Sequence, residues 1–128
     1  MAGGQRQRIA IIQQILCSSH YILMDEPFSG LDPINLEKTV HLIQQVANMD
    51  DLNTVIVVTH DVTAACAVSD HIWMLGRDRD ASGAIVDGAY IVKSYNLIDL
   101  NLAWQPDIIT RPDFMAFVAQ VKQEFKNL

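Results

Sequence analysis

The chain has 128 residues, of which 50% are hydrophobic, and its formal net charge at pH 7 is -6. This length is typical of one domain, and the hydrophobic fraction is sufficient for a buried core. The acidic balance argues against a general nucleic-acid-binding protein, because such proteins carry a basic face. No stretch approaches the roughly 18 consecutive apolar residues of a membrane span. Cys17 and Cys66 lack a metal-type spacing and are interpreted as packing residues in a reducing compartment.

The N-terminal segment predicts a helix that opens with two glycines. Gly3 and Gly4 precede a helical pattern that runs from Gln5 to Cys17. The pattern places three apolar residues on one face of this helix, namely Ile9, Ile12 and Leu16. A helix N-terminus preceded by glycines can bind an anion, because its free N–H groups and the positive end of its dipole point the same way.

A short apolar run from Tyr21 to Met24 leads directly into two adjacent carboxylates, Asp25 and Glu26, and then into Pro27. The run predicts a strand buried on both faces of a parallel sheet. The proline ends this strand because it has no N–H for the ladder. The carboxylates therefore lie at the C-terminal end of the strand, where open α/β sheets bind ligands. A Mg²⁺ ion held with nucleotide phosphates and a solvated turn would both account for such a pair.

A helix and a second strand follow this acidic pair. Residues 33–48 have apolar residues at helical spacing, with Asp32 or Asn35 as the candidate N-cap. Residues 54–59 are β-branched throughout and predict a second buried strand. A strand, helix and strand of this length form a right-handed unit with parallel strands. His60 should therefore emerge at the same sheet edge as the two carboxylates.

The remaining sequence predicts shorter elements and a final amphipathic helix. In chain order we expect a short helix over residues 61–69, a strand over 72–75, a hairpin over 84–92 that turns at Asp87-Gly88, and a helix that begins at Pro112. Five apolar residues share one face of that last helix, namely Phe114, Phe117, Val118, Val121 and Phe125. We interpret it as a helix that docks on its own domain, with a regulatory or partner-binding helix as the alternative.

In combination and in this order, the motifs resemble those of the ATP-binding-cassette (ABC) ATPases. The segment 3–8 is similar to the signature motif of that family, 22–26 to its Walker B strand, 29–32 to its D-loop, and His60 to its switch histidine. The resemblance covers roughly residues 1–76. One departure is that Met1 and Ala2 stand where the family usually has leucine and serine.

The resemblance implies that three residues carry out the hydrolysis of ATP. Asp25 would hold Mg²⁺, through water, and Glu26 would orient the attacking water or accept its proton. His60 would form a hydrogen bond to the γ-phosphate. Because a second carboxylate is adjacent, we expect the proton affinity of Glu26 to be raised.

The resemblance also implies residues that act between two subunits. Gly3, Gly4 and Gln5 would close over the nucleotide bound by a second ABC ATPase subunit, and Asp32 would link the two sites at the dimer interface. The family then implies a head-to-tail dimer with ATP and Mg²⁺ held between its subunits.

The phosphate-binding pattern Gly-x-x-x-x-Gly-Lys-Ser/Thr does not occur in this sequence. The segment 83–88 has two glycines at that spacing, but it lacks the lysine and hydroxyl and contains an acid, so we interpret it as a turn. By resemblance we expect the C-terminal half of an ABC transporter ATPase subunit, without the Walker A and Q-loop portion and inactive alone. The expected fold is α/β, with a partial P-loop NTPase core of parallel strands and flanking helices, then a C-terminal hairpin and helix. One domain would consist of a signature helix (1–18), a core (19–92) and a tail (93–128).

The function implied by the resemblance is that of an ATP-hydrolysing subunit that powers a membrane transporter. Its partners would be a second ABC ATPase subunit and transmembrane permease subunits, at the cytoplasmic face of the membrane, and no nucleic acid is expected. Two alternatives are a soluble ABC-type ATPase outside transport and a catalytically inactive module that docks on a full-length partner.

Overall fold

The computed structural model describes residues 3–17, 20–105 and 107–128. Its elements, in chain order, are α1 (Gly3–Leu16), β1 (Tyr21–Asp25), α2 (Pro33–Met49), β2 (Thr54–Val58), α3 (Val62–Val68), β3 (His71–Gly76), β4 (Tyr90–Asn96), a short 3-10 helix (Ile108–Thr110) and α4 (Pro112–Lys126). The mixture of helices and strands confirms the α/β class. The chain divides into two compact units, Met1–Val68 and Ser69–Leu128, and the finer subdivision at residues 18 and 92 stays a prediction.

The first unit contains a two-stranded parallel sheet, as the sequence predicts. β1 and β2 pair in register, with Tyr21 opposite Thr54 and Asp25 opposite Val58, and α2 forms the crossover between them. The ladder continues past the end of β1, because the Glu26 N–H donates to the Val58 carbonyl at 2.7 Å. The residues that follow the two strands therefore lie at one edge of the sheet.

The prediction that β1 is buried on both faces is wrong for this chain. Ile22 and Met24 are 1% and 5% exposed, whereas Tyr21 and Leu23 are 72% and 65% exposed. Successive side chains of a strand point to opposite faces, so one face packs in the core and the other does not. The apolar run misled the prediction because an apolar residue can occupy the exposed positions as well.

α2 begins at its predicted position, and of the two candidate caps Asp32 is the one that caps it. The Asp32 Oδ1 atom accepts a hydrogen bond from the Asn35 N–H at 2.8 Å, which satisfies one of the N–H groups that a helix leaves free at its start. Pro33 suits the first turn because it has no N–H to satisfy. The buried face of this helix consists of Thr39, Val40, Ile43 and Val46.

Thr39 introduces a polar atom into that buried face, and its replacement by valine should stabilise the first unit. Its side chain is fully buried, and its hydroxyl has no hydrogen-bond partner among the described residues. Because Thr39→Val keeps the branched shape and removes an unsatisfied group, we expect the free energy of unfolding to rise by about 1 kcal/mol. Urea denaturation measures the change. The same substitution at the exposed Thr54 is the control and should stay within about 0.5 kcal/mol, and a loss of stability at Thr39 would contradict the prediction.

α1 is confirmed as a helix, but a different face of it is buried from the one predicted. Ile9, Ile12 and Leu16 are 42%, 45% and 76% exposed, whereas Gly4 and Ile11 are buried. Helical spacing identifies a face without saying which neighbour covers it. Here α1 approaches α2 on its glycine side, where the missing side chain permits close contact.

The second unit contains an antiparallel strand pair, which corrects the predicted hairpin. β3 forms where a third strand is predicted, and its partner is β4. The predicted hairpin over residues 84–92 does not form, since Asp87 and Gly88 lie in the connection between β3 and β4 and an isolated bridge joins Arg79 to Ile85. The Asp-Gly signal marks a bend, with Gly88 at φ 98°, but the ladder forms between the longer flanking segments.

α4 begins at Pro112, as predicted, and packs on its own unit. Four of the five predicted apolar residues are buried, namely Phe114, Phe117, Val118 and Val121, whereas Phe125 is 41% exposed. The ring of Phe117 meets the ring of Tyr95 of β4 edge to face, with centroids 5.6 Å apart. This packing agrees with the interpretation of a docked helix. In the part of the chain that the structure describes, no helix has the length and apolar character needed to cross a membrane.

Candidate functional site

The candidate site lies at the sheet edge where β1 and β2 end. Glu26 follows β1, and Thr59 and His60 follow β2. The Nδ1 atom of His60 lies 2.9 Å from Oε1 of Glu26, and the Thr59 hydroxyl donates to Oε2 of the same carboxylate at 3.3 Å. The prediction that His60 emerges at the same sheet edge as Glu26 is therefore confirmed, and the structure adds a direct contact between the two side chains. Thr59 is not assigned to the site from the sequence, although its position directly before the histidine could have indicated it.

The backbone of Glu26 fixes the direction of its side chain. Its φ angle is 50°, a left-handed conformation that is uncommon for a residue other than glycine. Two backbone hydrogen bonds hold it there, from the Glu26 N–H to the Val58 carbonyl and from the Ser29 N–H to the Glu26 carbonyl. Pro27 and Phe28, which follow, are both buried. The chain thus leaves the sheet in one conformation, with the carboxylate against the end of β2.

Glu26 and His60 shift each other's proton affinity. The hydrogen bond to His60 lowers the pKa of Glu26 from its ordinary 4.5, and the hydrogen bond to Glu26 raises the pKa of His60 from its ordinary 6.5. Both shifts favour the charged pair. The predicted rise in the proton affinity of Glu26 is therefore wrong, because His60, rather than the adjacent Asp25, determines the direction.

The pair should have a measurable pH window. Because the folded pKa of His60 is raised, its contribution to stability is present below pH 6.5 and is lost as the pH rises through that folded pKa. Because the folded pKa of Glu26 is lowered, its contribution is present above pH 4.5 and is lost as the pH falls through the folded value. The ion pair should therefore stabilise the chain most between pH 4.5 and 6.5.

An NMR titration of the His60 ring protons checks this window. We expect the pKa of His60 to lie above 6.5 and to move back towards 6.5 in Glu26→Gln, because the charge that favours the protonated ring is removed. Glu37→Gln, on the exposed side of α2, is the matched control and should leave the His60 titration unchanged. An unchanged titration in Glu26→Gln would contradict the assigned contact.

Asp25 is a free carboxylate at the same edge. Its side chain is exposed at the end of β1, and no hydrogen bond or ion pair of its carboxylate is found within the described residues. Over those residues, no group of three or more His, Cys, Asp and Glu side chains is arranged to hold a metal ion. Mg²⁺ typically takes one or two carboxylates with phosphate oxygens and water. Asp25 is therefore suited to a Mg²⁺ ion that a nucleotide also ligates. The described part of the chain contains no metal site formed by protein side chains alone.

The residues predicted to act between subunits lie elsewhere in the first unit. Gly3, Gly4 and Gln5 form the first turn of α1, where Gly3 and Gln5 are exposed and Gly4 is buried. Asp32 caps α2. No hydrogen bond or ion pair among the described residues connects Gly3, Gly4 or Asp32 with the Glu26–His60 pair. The structure thus brings the two predicted catalytic residues together, and within the described residues it shows no such bond from Gly3, Gly4 or Asp32.

Asn35 connects Asp32 with α1 and was identified from the sequence only as a possible cap. Its side chain accepts a hydrogen bond from Arg8 of α1 and donates one to Asp32. Arg8 and Asn35 are 27 residues apart in sequence. Local sequence patterns do not predict a contact between residues so far apart in the chain.

Comparison with known proteins identifies several relatives. The aliphatic sulfonates import ATP-binding protein of Corynebacterium glutamicum is 30% identical over 121 residues, which cover 94% of this chain and 43% of that protein. The probable ABC transporter ATP-binding protein PEB1C of Campylobacter jejuni is 34% identical over 87 residues, which cover 68% of this chain and 34% of that protein. The thiamine import ATP-binding protein of Aliivibrio fischeri is 41% identical over 71 residues, which cover 56% of this chain and 30% of that protein.

These similarities extend over most of the chain but over only part of each relative. The chain spans less than half the length of each of the three proteins. No protein-family model matches it. The relatives share the designation of ATP-binding proteins. The chain is therefore a homologue of the ABC transporter ATP-binding proteins, and it corresponds to a part of their length.

Proposed function

We propose that this chain is the part of an ABC-type ATPase that provides the general base and a γ-phosphate contact for ATP hydrolysis, in a protein that powers a membrane transporter. The observation that carries the proposal is the contact between Glu26 and His60, 2.9 Å apart at the edge of the parallel sheet. Relatives designated as import ATP-binding proteins support the assignment to transport.

Glu26 is suited to act on the attacking water. Its lowered pKa keeps the carboxylate ionised at neutral pH, so it can accept a hydrogen bond or a proton from water during in-line attack on the γ-phosphate. The Thr59 hydroxyl and His60 hold the two carboxylate oxygens. The side chain is therefore oriented before any nucleotide arrives, which reduces the cost of positioning it in the reaction.

His60 is suited to donate to the phosphate from its second ring nitrogen. When Nδ1 donates to Glu26, a neutral ring has no proton left on Nε2, whereas a protonated ring donates from both nitrogens. The contact with Glu26 raises the pKa of His60 and so favours the protonated ring. We infer that this ring donates to a γ-phosphate oxygen through Nε2 while Nδ1 stays on Glu26.

The cofactor and the partners follow from the same proposal. Asp25 would hold Mg²⁺ through water, and the ion would offset negative charge on the phosphate oxygens. Gly3, Gly4 and Gln5 would close over the nucleotide of a second ABC ATPase subunit, with Asp32 at the interface. Transmembrane permease subunits at the cytoplasmic face of the membrane would complete the transporter.

A complementation assay tests this function. The sequence contains no Gly-x-x-x-x-Gly-Lys-Ser/Thr pattern, so the chain is mixed with a second polypeptide that carries this pattern from an ABC ATPase, and phosphate release from Mg·ATP is measured. We expect turnover above the sum of the two polypeptides alone, and its loss when the lysine of the pattern is replaced by alanine. No gain over that sum would favour the catalytically inactive interaction module.

A further inference from the structure

Asn35 lies in the first turn of α2 and contacts both Asp32 and α1. The Arg8 guanidinium donates from Nη1 to Oδ1 of Asn35 at 3.2 Å. The Asn35 side chain donates from Nδ2 to Oδ2 of Asp32 at 2.9 Å, and its backbone N–H donates to Oδ1 of Asp32 at 2.8 Å. These two bonds from Asn35 lower the pKa of Asp32. One residue thus occupies both oxygens of the Asp32 carboxylate and also holds α1.

The chemistry of the two partners fixes the orientation of the Asn35 amide. A guanidinium group only donates hydrogen bonds, and a carboxylate only accepts them. The amide oxygen must therefore face Arg8, and the amide nitrogen must face Asp32. Aspartate at position 35 would keep the first bond and replace the second by repulsion between two carboxylates, so the bridge requires an amide.

Gly4 adds a steric contact with the same side chain. A Cβ atom built at Gly4 would lie 2.7–2.8 Å from Cγ, Oδ1 and Cβ of Asn35, well inside the roughly 3.5 Å of a favourable carbon contact. Gly4 and Arg8 are four residues apart and lie on the same side of α1. Asn35 is therefore seated against the backbone at Gly4 and held by the side chain one turn later.

We propose that Asn35 is a positioning residue that keeps the first turn of α1 and the Asp32 carboxylate at a fixed separation. This inference rests on the proposed function, in which Gly3, Gly4, Gln5 and Asp32 face a nucleotide held with a second subunit. Asn35 itself acts through Arg8 and Asp32. Its loss would let α1 and Asp32 move independently while the backbone cap of α2 remains.

A double-mutant cycle on the 128-residue chain tests the link without nucleotide. Arg8→Ala removes one end of the bridge. Asp32→Ser removes the other, because serine can cap α2 but has no second oxygen for Nδ2. We expect the combined effect of the two substitutions on the unfolding equilibrium constant to differ about fivefold from the product of their separate effects. When Asn35→Ala is also present, the combined effect should equal that product. A merely structural role for Asn35 would lower stability and leave the coupling unchanged.

Matched variants make this test specific. Asn48→Ala, at an exposed position of the same helix, should preserve the coupling. Asn35→Asp keeps the shape of the side chain, and it should shift the backbone amide resonances of Gly4 and Arg8 even if the triple variant does not fold. Independence of Arg8 and Asp32 in the unchanged chain, or coupling that persists without Asn35, would overturn the inference.

The complemented ATPase supplies the functional readout. Asn35→Ala should lower kcat about tenfold or more with little change in KM for ATP. Misplaced groups around the bound nucleotide slow the chemical step but do not weaken the binding of ATP. Asn48→Ala should match the unchanged chain. Equal kcat values for the two variants would overturn the positioning role. Absence of turnover with the unchanged chain would overturn the proposed function, while the coupling measurement would still decide whether Asn35 links α1 to Asp32.

Discussion

Replacement of Glu26 by glutamine should reduce ATP turnover in the complementation assay by about 10²- to 10⁴-fold, the usual contribution of a general base. Glutamine has nearly the same shape, its amide oxygen can accept the hydrogen bond from His60, and its NH2 group can donate to the Thr59 hydroxyl, so the fold should be preserved. It cannot take a proton from water at neutral pH. Phosphate release measures the loss, and size-exclusion chromatography with Mg·ATP should show a nucleotide-bound dimer that accumulates because it is not hydrolysed.

Glu37→Gln is the control for this substitution. Glu37 lies on α2 and approaches only the exposed His41, at 3.9 Å, among the described ion pairs. The same chemical change at this position should leave turnover within a factor of about two. Equal turnover for Glu26→Gln and the unchanged chain would remove Glu26 from the role of base, and Asp25 would then be the next residue to replace.

The geometry of the candidate catalytic pair was predictable because it depends on topology alone. Parallel strands joined by one helix must end at the same sheet edge, so Glu26 and His60 meet even though 34 residues separate them. Element boundaries were also predictable where one residue dictates them. Pro33 and Pro112 each begin a helix, since proline lacks the N–H that the first turn leaves unused.

The features that the sequence did not predict depend on which neighbour covers a surface. The apolar spacing of α1 pointed to Ile9 and Ile12, yet the contact with α2 selects the side that contains Gly4. The proton affinity of Glu26 likewise depends on a partner across the sheet edge rather than on the adjacent acid. Both cases involve long-range contacts, which local periodicity and adjacency do not specify.

Replacement of Gly4 by alanine should lower the free energy of unfolding by about 1–3 kcal/mol, the usual cost of overpacking. The new Cβ atom would meet Asn35 at 2.7–2.8 Å, and its neighbours there include the Cβ of Asn35, which cannot move without α2. This result would be opposite to the intrinsic preference, because alanine is favoured over glycine within a helix by about 1 kcal/mol. Urea denaturation of the 128-residue chain measures the change.

Gly3→Ala, in the same turn of the same helix, should not lower the free energy of unfolding as Gly4→Ala does. No atom lies within 4 Å of a Cβ built at Gly3, so only the helix preference remains and stability should be unchanged or rise by up to about 1 kcal/mol. Asn35→Ala in the Gly4→Ala chain removes two of the three closest atoms and should recover part of the loss. Equal effects of Gly3→Ala and Gly4→Ala would show that α1 does not rest on Asn35.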